Sequence, residues 1–369
     1  CSICWQSFGE PLTHNYIDGV CEYCYGEDPN YVPPHVHEFV EGECQCGESD
    51  PNYVPPHEHN FVEGKCECGE TDPNYKPVVE KFDIAFTQVE MGNALNVRFA
   101  FAASAQEDWS GAYAVATKTY ADGRENLTVT IPATEWQSAT INGAKHYYFS
   151  FSNISGKEMA DDIKVTIYNA DGEAISNEYT ESIRSYVMRV LDNQNAKTKT
   201  LLVDMLNYGS AAQTFYKYGT ADLANSKLTD TQKAYGTADV KACTDIRVKG
   251  ANYQGTRLEL KSSIVMQFAF KGLTADMTAK VEFTNHRGVK VSETVKPVMT
   301  DDAGLVIAVK QIVAADGRMP VTVTVYDADG NVYGTATDSL ESYLARMSTA
   351  NELYASIMKF SDAAYAYLH

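Results

Sequence analysis

The sequence predicts a mainly β protein with helical hairpins: an N-terminal row of small zinc-ribbon-like modules, then two tandem β-sandwich modules, each ending in a helical pair. Three observations predict it. Eight of the nine cysteines lie within the first 68 of 369 residues, in a register that carries histidines with them. From about residue 80 onward, short runs alternate apolar and polar side chains with a period of two. The sequence of strands followed by helices then occurs a second time.

The cysteine-rich start is a repeat. His35-Val36-His37 followed by Cys44-Gln45-Cys46-Gly47 returns as His57-Glu58-His59 followed by Cys66-Glu67-Cys68-Gly69, all four ligand positions shifted by 22 residues. A disulfide framework has no reason to carry histidines at a fixed offset, whereas a tetrahedral metal site needs four N or S ligands. Three sites follow: Cys1, Cys4, Cys21 and Cys24 in a ribbon-type CxxC…CxxC spacing, then His35, His37, Cys44 and Cys46, then His57, His59, Cys66 and Cys68. The first unit also aligns with the second at an offset of 23, which sets His14 opposite His37 and Cys21 opposite Cys44. Leu12 stands where His35 would be, and the leading CxxC replaces the missing histidine arm.

Residues i and i+2 of an extended strand share a face, so a CxC or HxH pair reaches one ion if the chain kinks, and Gly42, Gly47, Gly64 and Gly69 would supply that kink. Thiolates with imidazole select zinc over magnesium or calcium. Four-ligand sites are closed, so about three structural zinc ions, and no catalytic one, are expected. A disulfide between Cys44 and Cys46 would close a strained small ring, so oxidised pairing would have to run between units. Little else can hold this region together: its first 79 residues contain nine of the twelve prolines and few aliphatic side chains. Asp-Pro-Asn-Tyr recurs at 28–31, 50–53 and 72–75, twice followed by Val-Pro-Pro, and reads as turn plus stiff extended spacer.

Alternation predicts strands at 83–89, 94–102, 113–119, 126–131, 145–151 and 162–168, six or seven short strands of the immunoglobulin sandwich type. The period then changes. Ile183, Tyr186, Val187, Val190 and Leu191 form one helical face, and a second helix covers 198–218 with Leu202, Met205, Leu206, Ala212 and Phe215 inward. The plan repeats: Val165-Thr166-Ile167-Tyr168 returns as Val323-Thr324-Val325-Tyr326, Arg98-Phe99-Ala100-Phe101 as Gln267-Phe268-Ala269-Phe270, and Leu206-Asn207-Tyr208 as Met358-Lys359-Phe360. The expected domains are 1–34, 35–56 and 57–79 for the metal modules, 80–218 and 245–369 for the sandwiches with their helices, and 219–244 for a linker with a short helix near 229–234.

Composition removes several functions. The chain carries a formal charge of -19, and residues 1–80 hold sixteen Asp and Glu against Lys65 and Lys76. Such acidity repels phosphate backbones, so nucleic acid is not an expected partner. No apolar run approaches the roughly 18 residues of a membrane-spanning helix. Beginning at Cys1, a motif's first ligand, the chain looks like a piece of something longer. His146, His286 and His369 belong to no nucleophile pattern. Asp327-Ala328-Asp329-Gly330-Asn331 reads as a hairpin turn rather than a calcium loop, since Asp338 occupies its twelfth position. Trp109 and Trp136 read as partly buried core side chains rather than sugar platforms, and Cys243 as a small buried residue.

The His-x-His…Cys-x-Cys-Gly units with their Asp-Pro-Asn-Tyr spacers resemble repeats in large modular surface proteins of gut Firmicutes. The segment Leu206-Asn207-Tyr208-Gly209-Ser210-Ala211-Ala212-Gln213 looks like one recurring beside sandwich modules in such proteins. The resemblance implies an extracellular or cell-surface setting and a non-enzymatic role: sandwich modules for adhesion or ligand binding, toward a glycan or a host or cell-surface protein, on a metal-stapled stalk. Two other roles stay open, an accessory region of a secreted carbohydrate-active enzyme and a structural subunit of an extracellular assembly. A reduced, metal-bound cysteine row outside the cell is compatible with an anaerobic habitat.

Overall fold

The computed structural model describes residues 13–34, 36–53, 59–75, 80–92, 94–347 and 351–369. The chain divides into two compact units, Cys1–Val78 and Val79–His369, and is mainly β.

In the first unit each bead is organised by a minimal hairpin. Strand β1 (Tyr16–Ile17) pairs with β2 (Val20–Cys21), and β3 (Phe39–Val40) with β4 (Glu43–Cys44). Among the described residues of the third bead the hairpin is reduced to a Val62–Lys65 bridge, and Lys65 also bridges to Thr71. Asp18-Gly19, Glu41-Gly42 and Glu63-Gly64 all have positive φ at both positions, the tight two-residue turn whose twist suits a hairpin.

The second unit contains two copies of one topology. In the first copy β5 (Phe86–Met91), β6 (Leu95–Ala102), β10 (Ala144–Ile154) and β9 (Gln137–Ile141) form one antiparallel sheet in the order β5-β6-β10-β9. Strands β7 (Tyr113–Lys118), β8 (Leu127–Pro132), β11 (Ile163–Tyr168) and β12 (Tyr179–Glu181) form another, ordered β12-β11-β7-β8. Six of these eight strands lie where alternation predicts them. The edge strands β9 and β12 do not follow from it, being short and paired on one side, with β9 largely exposed.

The second copy repeats both orders. Strands β14 (Tyr253–Leu260), β15 (Ile264–Phe270), β19 (Gly304–Val309) and β18 (Val298–Thr300) form β14-β15-β19-β18. Strands β16 (Thr278–Thr284), β17 (Lys290–Val295), β20 (Val321–Tyr326) and β21 (Val332–Asp338) form β21-β20-β16-β17, extended at its edge by β13 (Val248–Lys249). Alternate residues of β7, β11 and β20 are buried, as a half-solvated sheet requires. Part of the core is an aromatic cluster: Phe101, fully buried, meets the rings of Phe82, Trp109, Trp136, Tyr147 and Phe149 at 5.1–6.3 Å. Both tryptophans are thus core-packed, and their indole N–H groups donate to the carbonyls of Ala103 and Ile131.

Each copy ends in two helices, α1 (Ile183–Val190) and α2 (Ala196–Tyr216), then α4 (Leu340–Met347) and α5 (Glu352–Leu368). The buried acids at their entrances are equivalent: Glu181 pairs with Arg189 at 2.7 Å, and Asp338 with Arg346 at 2.5 Å. Helix α2 is buried on nearly every side from Leu201 to Gln213, and Phe215, expected inward, is half exposed because the buried stretch ends before it. The segment 219–244 packs back onto it: Ala224 and Leu228 are buried, α3 (Asp230–Lys233) is capped by Thr229, and Thr237 bonds to the buried Asp204.

The copies meet through like parts. Tyr208 of α2 stacks on Phe360 of α5 at 5.8 Å, and these are counterparts in the duplication. Ala94 and Ser263, counterparts in the β5–β6 and β14–β15 turns, form an antiparallel bridge. Equivalent residues touching each other is the signature of an isologous interface, so an approximate two-fold axis runs through this seam.

Glu341 opens α4 almost wholly buried, accepting from Ser361 Oγ at 2.7 Å and facing Arg318 at 2.9 Å. Burial, reinforced by Asp362, pushes its carboxyl up to about 7 against the pull of Ser361 and Arg318. A raised acid binds its proton in the folded state first, so this group's unfavourable contribution is absent below the unfolded value near 4.5 and complete above about 7. Glu341→Gln is expected to stabilise the second unit at pH 8 by about 1–3 kcal/mol and to do little at pH 4.5, as read by thermal unfolding at both pH values.

Candidate metal centres

Each bead brings one imidazole and two thiols together. His14 with Cys21 and Cys24, His37 with Cys44 and Cys46, and His59 with Cys66 and Cys68 each have their ligand atoms within 4.8 Å of one another. Among the described residues these are the groups of three or more that could hold a metal ion. In every bead it is Nδ1 that faces sulfur: His14 lies 3.2 Å from both Cys21 and Cys24, His37 lies 3.3 Å from Cys46, and His59 lies 3.5 Å from Cys68.

The local sequence explains this aim. His14, His37 and His59 stack on Tyr16, Phe39 and Phe61 two residues on, at 5.5–5.7 Å and within 19° of parallel. Residues two apart on an extended strand share a face, so the aromatic ring clamps the imidazole plane and points Nδ1 inward. The thiols are fixed by backbone. Cys44 N–H donates to Glu48 O and Gly47 N–H to Cys44 O, with the same pair at Cys66, Glu70 and Gly69. Gly47 and Gly69 take positive φ there, and Tyr25 does so after the longer CxxC of the first bead.

The glycines before the cysteines have a further reason. A Cβ on Gly19, Gly42 or Gly64 would stand 2.1–2.2 Å from the ring of Tyr31, Tyr53 or Tyr75. The Asp-Pro-Asn-Tyr segments are therefore folded parts of each bead as well as spacers: Asp28, Asp50 and Asp72 donate N–H to Gly19, Gly42 and Gly64 O, and each tyrosine covers its glycine. Gly64→Ala is expected to weaken metal binding by the third bead at least tenfold, since it combines a left-handed backbone with a ring clash. Metal titration followed by the amide signals of Cys66 and Cys68 reads this, and unchanged affinity would refute the packing role.

The electrostatics favour a cation. Burial raises the Cys21 thiol, but the backbone amides of Cys24 and Tyr23 and bonds with His14 and Cys24 outweigh it and bring the group to about 6. The Glu48 amide lowers Cys46, yet burial and the Cys44 sulfur beside it leave the thiol above its ordinary value; Cys68 stands likewise between the Glu70 amide and Cys66. Two adjacent thiols resist ionising together until a dication neutralises them.

Of the twelve ligands expected from sequence, Cys21, Cys24, His37, Cys44, Cys46, His59, Cys66 and Cys68 fall within these groups. Cys1, Cys4, His35 and His57 lie outside the described residues. His14 joins the first group without having been assigned to it. The offset-23 alignment already set it opposite His37, but the ribbon-type CxxC pairs made a complete four-sulfur set without it. Other candidates resolve structurally. Asp327 Oδ1 accepts from the amides of Asp329 and Asn331 and closes a hairpin turn, His146 packs on Phe86, and Cys243 is half-buried beside Arg318.

No protein-family model matches the chain, and no curated protein matches it. Among solved structures the chain is similar to a pullulanase complexed with maltotriose from Anoxybacillus sp. LM18-11, at 9% identity, 68% coverage of this chain, 25% of that one and a TM-score of 0.15. The chain thus spans about a quarter of that structure's length. At that score the likeness bears on neither fold nor activity.

Proposed function

We propose that the chain is a non-enzymatic, extracellular modular protein. Three zinc-stapled beads form a semi-rigid stalk, and two immunoglobulin-like sandwiches with helical pairs carry an adhesive or ligand-binding surface toward a glycan or a surface protein. The observation that carries this reading is the threefold recurrence of an imidazole clamped against two thiols. A fourth donor is at hand in sequence for every bead, His35, His57, and Cys1 or Cys4, and a closed N/S set suits structural zinc rather than an ion that must take substrate. Elemental analysis with a thiol count before and after chelation tests the metal half. About three zinc ions per chain, with thiols appearing only on metal removal, is the expected result, and metal-free protein without titratable thiols would defeat it. Glycan and host-protein arrays test the binding half, and silence on both would sink it.

A further inference from the structure

A cavity of about 610 Å³ opens within Val79–His369 at the seam between the two copies. Its wall mixes polar and apolar side chains, the apolar ones including Leu95, Ile154 and Tyr208 from the first copy and Phe283, Ile312 and Phe360 from the second. This is the size and place of a small-molecule site, since ligand pockets favour such seams.

The duplication shows what is particular to this cavity. The strand registers make Lys118 the counterpart of Phe283, and Ala121 the counterpart of His286. The buried acid beside them is Glu158 in the first copy and Asp316 in the second. Glu158 is closed off by Lys118 at 2.8 Å and Arg124 at 2.6 Å, with the Arg124 guanidinium lying 3.7 Å above the Tyr120 ring. With phenylalanine in place of the lysine, Asp316 instead takes the ring Nδ1–H and the backbone N–H of His286, both at 2.7 Å.

Two polar groups are left over. The His286 side chain is 6% exposed and lines the cavity, and among the described residues its Nε2 has no hydrogen-bond partner. Arg287 lines the same cavity, and among the described residues it forms no ion pair. The other ionisable groups on the wall have partners: Glu90 pairs with Arg98, Asp316 accepts from His286, and Lys261 pairs with Glu259. A chamber of mixed lining, with apolar side chains on both walls and an unpaired guanidinium beside them, suits an anionic head on an apolar body.

We propose that this cavity binds a small carboxylate with an aromatic or aliphatic body, its head held by Arg287 and, when the ring carries a proton on both nitrogens, by His286 Nε2–H. The proposal rests on the ligand-binding reading above and gives it a site and a ligand class. Calorimetry of the full metal-loaded chain with 3-phenylpropionate and octanoate tests it, with the corresponding amides as neutral controls. At least one acid is expected to bind saturably, its amide at least tenfold more weakly. Arg287→Glu is expected to weaken the acid at least tenfold with an unchanged melting temperature, and His286→Gln, where it folds, to weaken it as well. Equal binding of acid and amide, indifference to Arg287→Glu, or no saturable binding of either acid would overturn it. Arg287 is exposed, so its variant decides the matter even if His286→Gln does not fold. A chain that engages an array partner but neither acid loses this site and keeps the broader reading.

Discussion

Stripping metal under reducing conditions is expected to unfold the beads completely while Val79–His369 keeps its own unfolding transition. The physical reason is that the beads have no other core. Among residues 13–75 that the structure describes, the buried hydrophobic side chains are Cys21, Cys44 and Cys66, which are themselves members of the metal-binding groups. Hairpins of two-residue strands are not stable alone in water, so with an ion bound the folding free energy of each bead would be the binding free energy of that ion, about 10–16 kcal/mol for structural zinc in small peptides. In a proton–nitrogen correlation spectrum, the amides of Gly42 and Gly64, fixed by neighbouring turns, should collapse to random-coil positions on chelation and return on adding zinc. Amides that stay dispersed in metal-free, reduced protein would contradict the assignment.

Phe101→Ala is expected to cost the second unit about 3–5 kcal/mol, the range for removing a fully buried phenylalanine. Five aromatic rings surround it, two of them the indoles of Trp109 and Trp136. Edge-on and tilted ring pairs add to the area term, and a rigid aromatic shell collapses poorly into the vacated space. Urea unfolding followed by tryptophan fluorescence reads both stability and local order, because two of the chain's three tryptophans stand at the cavity the substitution creates. A loss below about 1 kcal/mol would show that the shell relaxes and that the cluster does not anchor the sheets.

How far the sequence discloses this structure depends on the range of the interactions involved. The beads are legible because ligand, turn and clamp fall within about twenty residues and recur, so a register such as His37-Phe39-Glu41-Gly42-Cys44-Cys46 can be compared with itself. His14 shows the limit, since two competing patterns overlapped at one unit. The strands of the second unit show through where one face is buried, as in β7 and β11, and fade at edges such as β9. The duplication is equally plain in Phe99 and Phe268, but nothing in either copy says that Tyr208 will lie on Phe360. That contact is set by shape across more than a hundred residues, for which composition and periodicity hold no record. The same holds for Phe215, whose helical phase is right and whose exposure depends on where the neighbouring elements stop.

The paired helices carry one more consequence. Two separate subunits meeting through a patch the size of the Tyr208–Phe360 contact would have to overcome the loss of free translation at cellular concentrations. Joined by one backbone, the halves face each other at an effective concentration of order millimolar, whatever the protein's abundance. The pairing therefore needs little intrinsic affinity, and neither half must remain a copy of the other for the seam to close. That release from symmetry is what lets one half hold a lysine where the other holds a phenylalanine, at the equivalent positions Lys118 and Phe283, without the assembly coming apart.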